Sequence, residues 1–452
     1  MKNRLYFLLV GLLVTSTSFS QTKWTLKHCL EHAASKNIQI KQAELLERIS
    51  KNNLIQSKTN FLPTASTDAN YNFTFGNSID PTSYRYINSN SQSLTFGLSS
   101  NLTIFNGLQK VHTVYRNKAD YEAAAFDKAN TINSTALQLT NLFLQVLLNK
   151  ELKTISAKQL EISQEQLTKT KSQIQSGILA ETAIYEFEAQ VARDNASLIQ
   201  ASNNVDVSLL QLKIALQLPE NQAFDIEAPT TNIVLENIAN TSASEIYKIA
   251  LYNQPSIKSA QAKIASAIFT KKLAWGTLSP TLSATFSLRD NYFNKATNIV
   301  SISPYVTEPV GIETQLKNNL TKVAGFSFSM PILYGGSRVN NIANAKLQQQ
   351  IKELELDNQK NKLQQDVLQA YNNARVALEN MLANEKARNA AQKSLEVVEK
   401  RFGVGLSNSF ELQQIRTNFI RSESQYLQSK YSYLLNLKVL DFYKGLPITL
   451  ED

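Results

Sequence analysis

The sequence predicts a mixed α and β membrane protein, internally duplicated, in which a long α-helical coiled-coil barrel forms a tunnel joined to a transmembrane β-barrel, four strands per chain. Three observations predict it. A unit of helix, insertion, long helix, turn and helix is written twice. Its long helices are far longer than a compact core allows. Its insertions abandon the helical period for a period of two.

The repeat is exact in spacing over much of its length. Gly177 and Gly405 each follow a long helical pattern and stand 228 positions apart, as do Leu218-Pro219 and Leu446-Pro447, Phe143 and Tyr371, and Val111 and Val339. Residues 108–219 and 336–447 therefore superimpose without a gap. Upstream, Ala33 to Pro63, ending FLP, matches Ala250 to Pro280, ending LSP, at an offset of 217. The difference of 11 residues places a longer loop between Pro280 and Gly335. The reading divides the chain into a first repeat (21–219), a linker (220–245), a second repeat (246–447) and a tail (448–452).

Residues 336–402 contain no proline. From Ala374 onward, positions 374, 378, 381, 388, 395, 398 and 402, small or apolar apart from Arg388, are separated by sums of threes and fours, the period of coiled-coil packing. At about 1.5 Å per residue such a helix is a rod on the order of 100 Å long. The first copy repeats it from Leu108 to Ser176. Residues 25–61 and 182–217 are each expected as one helix about half that length, so that two short helices match one long one.

The insertions set the environment. In residues 64–75, Thr67, Ala69, Tyr71, Phe73 and Phe75 share one face, against Ser66, Asp68, Asn70 and Asn72. Residues 93–104 place Leu94, Phe96, Leu98, Leu102 and Ile104 on one face, and the second copy does so with Leu282, Ala284, Phe286 and Leu288, then Phe326, Phe328 and Met330. Strands of about ten residues with one apolar face fit a transmembrane barrel, and long loops at 76–92 and 292–321 fit its outer side. The hairpins span 64–105 and 281–331. Four strands cannot close a barrel, and an open edge in lipid leaves backbone groups unpaired. Several copies must share one barrel, and two, three or four would satisfy that condition.

Composition agrees. The 452 residues are 43% hydrophobic and 18% charged, a folded chain large enough for two or three ordinary domains. Residues 1–20 read as a secretory signal, with Lys2 and Arg4 before the apolar run Leu5 to Val14 and small residues ending at Ser20. Those two residues carry two of the nine net positive charges. The basic residues that remain alternate with acidic ones and form no block, which speaks against nucleic acid. A single cysteine, Cys29, allows no internal disulfide. The mature chain has no apolar run of about 18 residues, so no transmembrane helix is expected.

The duplicated unit, the LP stops, the FLP and LSP helix-to-strand turns, and the strand-to-helix turns IFNG and LYGG (104–107 and 333–336) resemble the TolC-like outer membrane efflux proteins. The resemblance covers essentially the whole mature chain. It implies a homotrimer with a twelve-stranded barrel in outer-membrane lipid and a periplasmic helical tunnel, served by a periplasmic membrane-fusion adaptor and an inner-membrane pump of RND or ABC type. It also implies that 220–245 and the tail belong to an equatorial belt. On this reading the protein is a passive exit duct for drugs, toxic compounds or metals, with no enzymatic activity and no cofactor. Protein secretion of type I and a periplasmic structural coiled coil are the rivals.

No catalytic constellation is present: His28, His32 and His112 lack a nucleophile-and-acid context. His28 and His32 lie four apart on a helix, a metal-compatible spacing without further ligands. Gly403-Val404-Gly405 lacks the preceding strand and following Lys of a phosphate loop. It reads instead as a helix stop, after which Ser407 or Asn408 caps the next helix and Glu411 occupies its first turn. In the family such turns, here 176–181 and 403–408, form the periplasmic tip. The resemblance implies adaptor docking at Val404, Gly405 and Leu406, with Gly177 and Ile178 as the counterpart. It also implies an acidic gate, for which Glu411 stands at one family position and Gln414 at the other. Glu186 in the first copy supplies the missing acid, so the ring is expected to be split between Glu186 and Glu411.

Overall fold

The two copies of the repeat adopt matching elements. A computed structural model describes residues 23–79, 84–88, 90–177, 180–228, 242–302 and 305–450. The long helices are α3 (Gln109–Gln175) and α8 (Ser337–Gly403), each of 67 residues. They are followed by α4 (Thr182–Ala215) and α9 (Ser409–Lys444). Two compact units result, and each draws on both repeats: one holds the described parts of Met1–Glu44, Asp127–Ile257 and Gln359–Asp452, the other Leu45–Phe126 and Lys258–Asn358.

The short leading helix is not continuous. It forms α1 (Leu26–Lys36) and α2 (Ile38–Thr59), and in the second copy α5 (Ala243–Asn253) and α6 (Pro255–Gly276). The breaks at Asn37 and Gln254 keep the offset of 217. Gln254 is extended (φ −65°, ψ 124°) because Pro255 follows it, and proline excludes the helical region at the residue before it. Asn37 reaches the same shape (φ −59°, ψ 131°) without proline. Its Oδ1 accepts from the backbone N–H of Gln39 and Ile40 at 2.9 and 3.3 Å, so a side chain replaces what proline does in the other copy.

A second substitution matches the first. Gln217 has a positive φ of +57°, where its counterpart Gly445 has +77°. A left-handed glutamine is strained. Its Oε1, however, accepts from the N–H of Ile38 at 3.1 Å, the position that Pro255 fills without an N–H. The pair Ile38/Gln217 thus corresponds to Pro255/Gly445. The variant Ile38→Pro, Gln217→Gly is expected to be stabler than the parent by about 1 kcal/mol, from relieved left-handed strain and a stiffer unfolded chain. Urea denaturation followed by circular dichroism checks it; a destabilised double variant would show that Ile38 and Gln217 act in some other way.

In the first unit, Trp24, Leu26, Cys29, Ala33, Leu139, Phe143, Leu147, Leu212, Leu216 and Ile226 form a buried cluster with Tyr431 and Leu434. The strand-like bridge of Trp24 with Ile226 fastens the start of the chain, with Trp24 N donating to Asp225 O at 2.9 Å. Lys150 Nζ bonds the Asp225 carboxylate and, at 2.9 Å, the Ile226 carbonyl. Tyr431 donates its hydroxyl to Glu151 at 2.5 Å; burial, and then this carboxylate, raise its pKa. Along α8 the buried residues Leu363, Val367, Ala370, Ala374, Ala377 and Met381 alternate spacings of four and three, a coiled-coil seam. Arg388 is partly buried by pairing with Glu423 at 2.7 Å.

The second unit carries one antiparallel sheet of β1 (Thr64–Thr74), β4 (Ser91–Asn106), β5 (Thr281–Phe293) and β8 (Thr321–Ser329), in that order. The pairing of β4 with β5 joins the two copies. The connections read as long loops hold structure of their own: a hairpin of β2 (Asn77–Ile79) and β3 (Tyr86–Asn88), and β6 (Thr297–Ile302), β7 (Tyr305–Pro309) and helix α7 (Ile312–Asn318). Gln315 fastens α7, its side chain bonding both backbone groups of Phe293 and the Val310 carbonyl at 2.8 to 3.0 Å.

Register sorts the faces. Thr67, Leu98, Leu288 and Lys322 stand in one row, and Leu102, Ala284 and Phe326 in another. The apolar face is exposed in the single chain, with Phe326 at 79% and Phe328 at 67%. One assignment changes. A bulge after Thr103 makes Phe105, not Ile104, the partner of Leu282, because the extra residue moves every later side chain to the other face. Asp290 and Lys322 also lie on this face, at the strand ends remote from the long helices, where a barrel tolerates charge best.

Candidate functional site

Two helical reversals carry the residues predicted to matter. After α8, Leu406 N donates to Arg401 O (2.8 Å) and Gly405 N to Phe402 O (3.1 Å). These two bonds close a helix whose C′ residue is left-handed, and Gly405 supplies that conformation at φ +77°. Gly177 does the same in the first copy, at φ +72°, with its N–H on Ile174 O at 2.9 Å. Ile178 lies outside the described residues. Val404, Leu406 and Phe410 are each at least 70% exposed, so the second turn presents an apolar surface that its own chain leaves uncovered.

Asn408, rather than Ser407, caps α9: its Oδ1 accepts from Glu411 N at 2.8 Å. Ser407 donates instead to the Glu411 carboxylate at 2.6 Å. Arg401 holds the other Glu411 oxygen at 3.2 Å and donates to Leu406 O at 3.1 Å. Glu411 is therefore secured within its own turn. Glu186 accepts from Ser409 at 2.8 Å, which ties the start of α9 to α4. Glu186 and Gln414 line one open groove with Tyr185, Phe410 and Arg421. The structure thus places Glu186 and Gln414 on one groove, while Glu411 faces Arg401. Sequence reading missed Arg401 and Ser409, and gave Ser407 a capping role in place of its bond to Glu411. Arg401 and Glu411 stand on different helices with the turn between them, so no helical period connects them.

The histidine pair packs on an aromatic ring. His28 and His32 both pack edge-on against Trp24, with ring centroids 4.4 and 5.1 Å away. Burial, chiefly, lowers the His32 pKa. Burial also pushes the Cys29 thiol up to about 12, which leaves it unreactive.

Comparison with known proteins places this architecture. The Outer membrane efflux protein family profile matches residues 29–216 and 246–445. The chain is 22% identical over 441 residues to outer membrane protein TolC of Escherichia coli (strain K12), covering 95% of this chain and 84% of that one. It is 21% identical over 412 residues to outer membrane efflux protein BepC of Brucella suis biovar 1 (strain 1330), covering 91% and 83%. Its fold matches the Campylobacter jejuni CmeC outer membrane channel with a TM-score of 0.70 at 17% identity, over 93% of this chain and 85% of that one. Two matched helical repeats, a four-stranded sheet drawn from both, and a profile that covers both repeats make this chain a member of the outer membrane efflux protein family, a channel of the outer membrane with a periplasmic helical tunnel.

Proposed function

We propose that three copies close one twelve-stranded barrel and serve as the passive exit duct of a tripartite efflux system, carrying small molecules from the periplasm outward. The observation that carries this reading is the sheet. Its outer strands β1 and β8 each pair on one side only within the described chain, and one of its faces is apolar. Each unpaired backbone group left in hydrocarbon costs several kcal/mol, so the edges must meet those of other copies. An adaptor docks at Val404, Gly405 and Leu406, with Gly177 and Ile178 as the equivalent turn. A pump of RND or ABC type supplies the energy. Detergent-extracted protein is expected to run as a trimer in native mass spectrometry and to conduct ions in planar bilayers. A monomer without conductance would sink the proposal.

The same reading assigns the inner gate to Glu186 and Glu411, with Gln414 on the groove that Glu186 lines. Rings of carboxylates favour cations in a pore. The variant Glu186→Gln, Glu411→Gln is expected to lower cation preference by about two-fold or more, read from the reversal potential in a salt gradient. An unchanged reversal potential would remove both carboxylates from the gate.

A further inference from the structure

The polar face of the sheet is nearly uncharged. It is built from Ser66, Asn70 and Asn72 on β1, Thr95, Ser99, Asn101 and Thr103 on β4, Ser283, Thr285, Ser287 and Asn291 on β5, and Ser327 on β8. Among the described residues of these four strands, the charged side chains on this face are Asp68 and Arg289. Register places both in one cross-strand row, Asp68, Gly97, Arg289, Thr321. Gly97 separates them, and the Asp68 carboxylate occupies the space above it: a Cβ there would lie 2.7 Å from Asp68 Oδ1. The Asp68 carboxylate therefore leans over the cleared position toward the strand that carries Arg289. Two strand spacings, about 10 Å, separate the two backbones. Among the described contacts no ion pair joins the two groups, and both residues are exposed.

We infer that this row is a charge filter in the lumen of the barrel, in which Asp68 and Arg289 set the ion and solute preference of the outer part of the duct. The inference rests on the reading that the polar face lines a pore. A face otherwise mostly of Ser, Thr and Asn, with Val323 and Phe293 among them, gives a permeating ion hydrogen bonds of either sense and little net field. One acid and one base per chain, held apart by glycine, give it adjacent sites of opposite sign. In a closed ring of several chains the two signs alternate at a single level, which suits zwitterionic or amphoteric solutes better than strongly charged ones.

Planar-bilayer recordings on the full-length protein test it. Asp68→Asn is expected to shift the reversal potential in a salt gradient toward anions, and Arg289→Gln toward cations. Each changes the permeability ratio by about two-fold or more, and the double variant returns near the parent. Because a second constriction in series could dominate that reading, a local probe accompanies it. Cys29 is fully buried, so Asp68→Cys presents the reactive thiol. An anionic methanethiosulfonate is expected to modify it at least about two-fold faster than a cationic one, and adding Arg289→Gln is expected to abolish the difference. Equal rates for both reagents with and without Arg289 would overturn the filter while leaving the duct intact. A thiol at position 68 closed to both reagents, or a parent protein without conductance, would overturn the duct reading and the filter with it.

Discussion

Gly107→Ala is expected to prevent the chain from reaching its folded state in the outer membrane. Gly107 opens the turn from β4 into α3 with φ +66°, where any side chain is strained by about 1–2 kcal/mol. Space is the larger problem. A Cβ at this position would lie 2.3 Å from the Gly276 carbonyl oxygen and 2.5 Å from Ser279 Cβ. Backbone cannot yield as a flexible side chain can, and Gly276 in turn would place a Cβ 2.7 Å from the Gly107 carbonyl oxygen. The two glycines meet back to back, and Gln109 bonds the same Gly276 carbonyl at 3.1 Å. Loss of more than about 3 kcal/mol follows from displacing packed backbone. Gly335, the counterpart, has φ +54° and nothing within 4 Å, so Gly335→Ala is expected to show the conformational cost alone. Heat-modifiable mobility of outer-membrane fractions on gels separates the two. Equal yields of folded protein would refute the steric account.

Phe143→Ala is expected to lower stability by about 3–5 kcal/mol. The side chain is 1% exposed and belongs to the cluster of Trp24, Leu26, Leu147, Leu212 and Tyr431. That cluster joins the start of the chain, α3, α4 and α9, so a cavity there loosens four segments together. A drop in the urea midpoint of the helical signal, without a change in its slope, checks it. A loss below about 1 kcal/mol would mean that the neighbours close the cavity. The counterpart Tyr371 is half-buried, so Tyr371→Ala is expected to cost less.

Much of this was legible before the structure. The offsets of 228 and 217, carried by Gly177/Gly405 and by FLP/LSP, announced two copies because equal spacing over hundreds of residues has no local cause. Alternation in TASTDANYNFTF announced a strand with two unlike faces, since successive side chains point oppositely. The glycines of SGI and GVGL announced helix ends. Less legible were the breaks at Asn37 and Gln254. Pro255 marks one, but the other depends on a side-chain oxygen turned onto its own backbone. The bulge after Thr103 was invisible as well, because one extra residue leaves the local pattern almost unchanged.

By itself, then, the sequence determined the main helices and sheet strands, their order, their duplication and, up to the bulge, which face of each strand is apolar. These are properties of short range, set by side-chain period and backbone preference. Only the tertiary structure decided which residues from remote segments stand together. It secured Glu411 on Arg401 and Ser407, tied Glu186 to Ser409, and set Gly107 against Gly276. It also brought Asp68, Gly97 and Arg289 into one row. The pairing of β4 with β5 joins segments far apart in the chain, and a register between such segments comes from the fit of whole faces, not from any spacing that a single stretch of sequence contains.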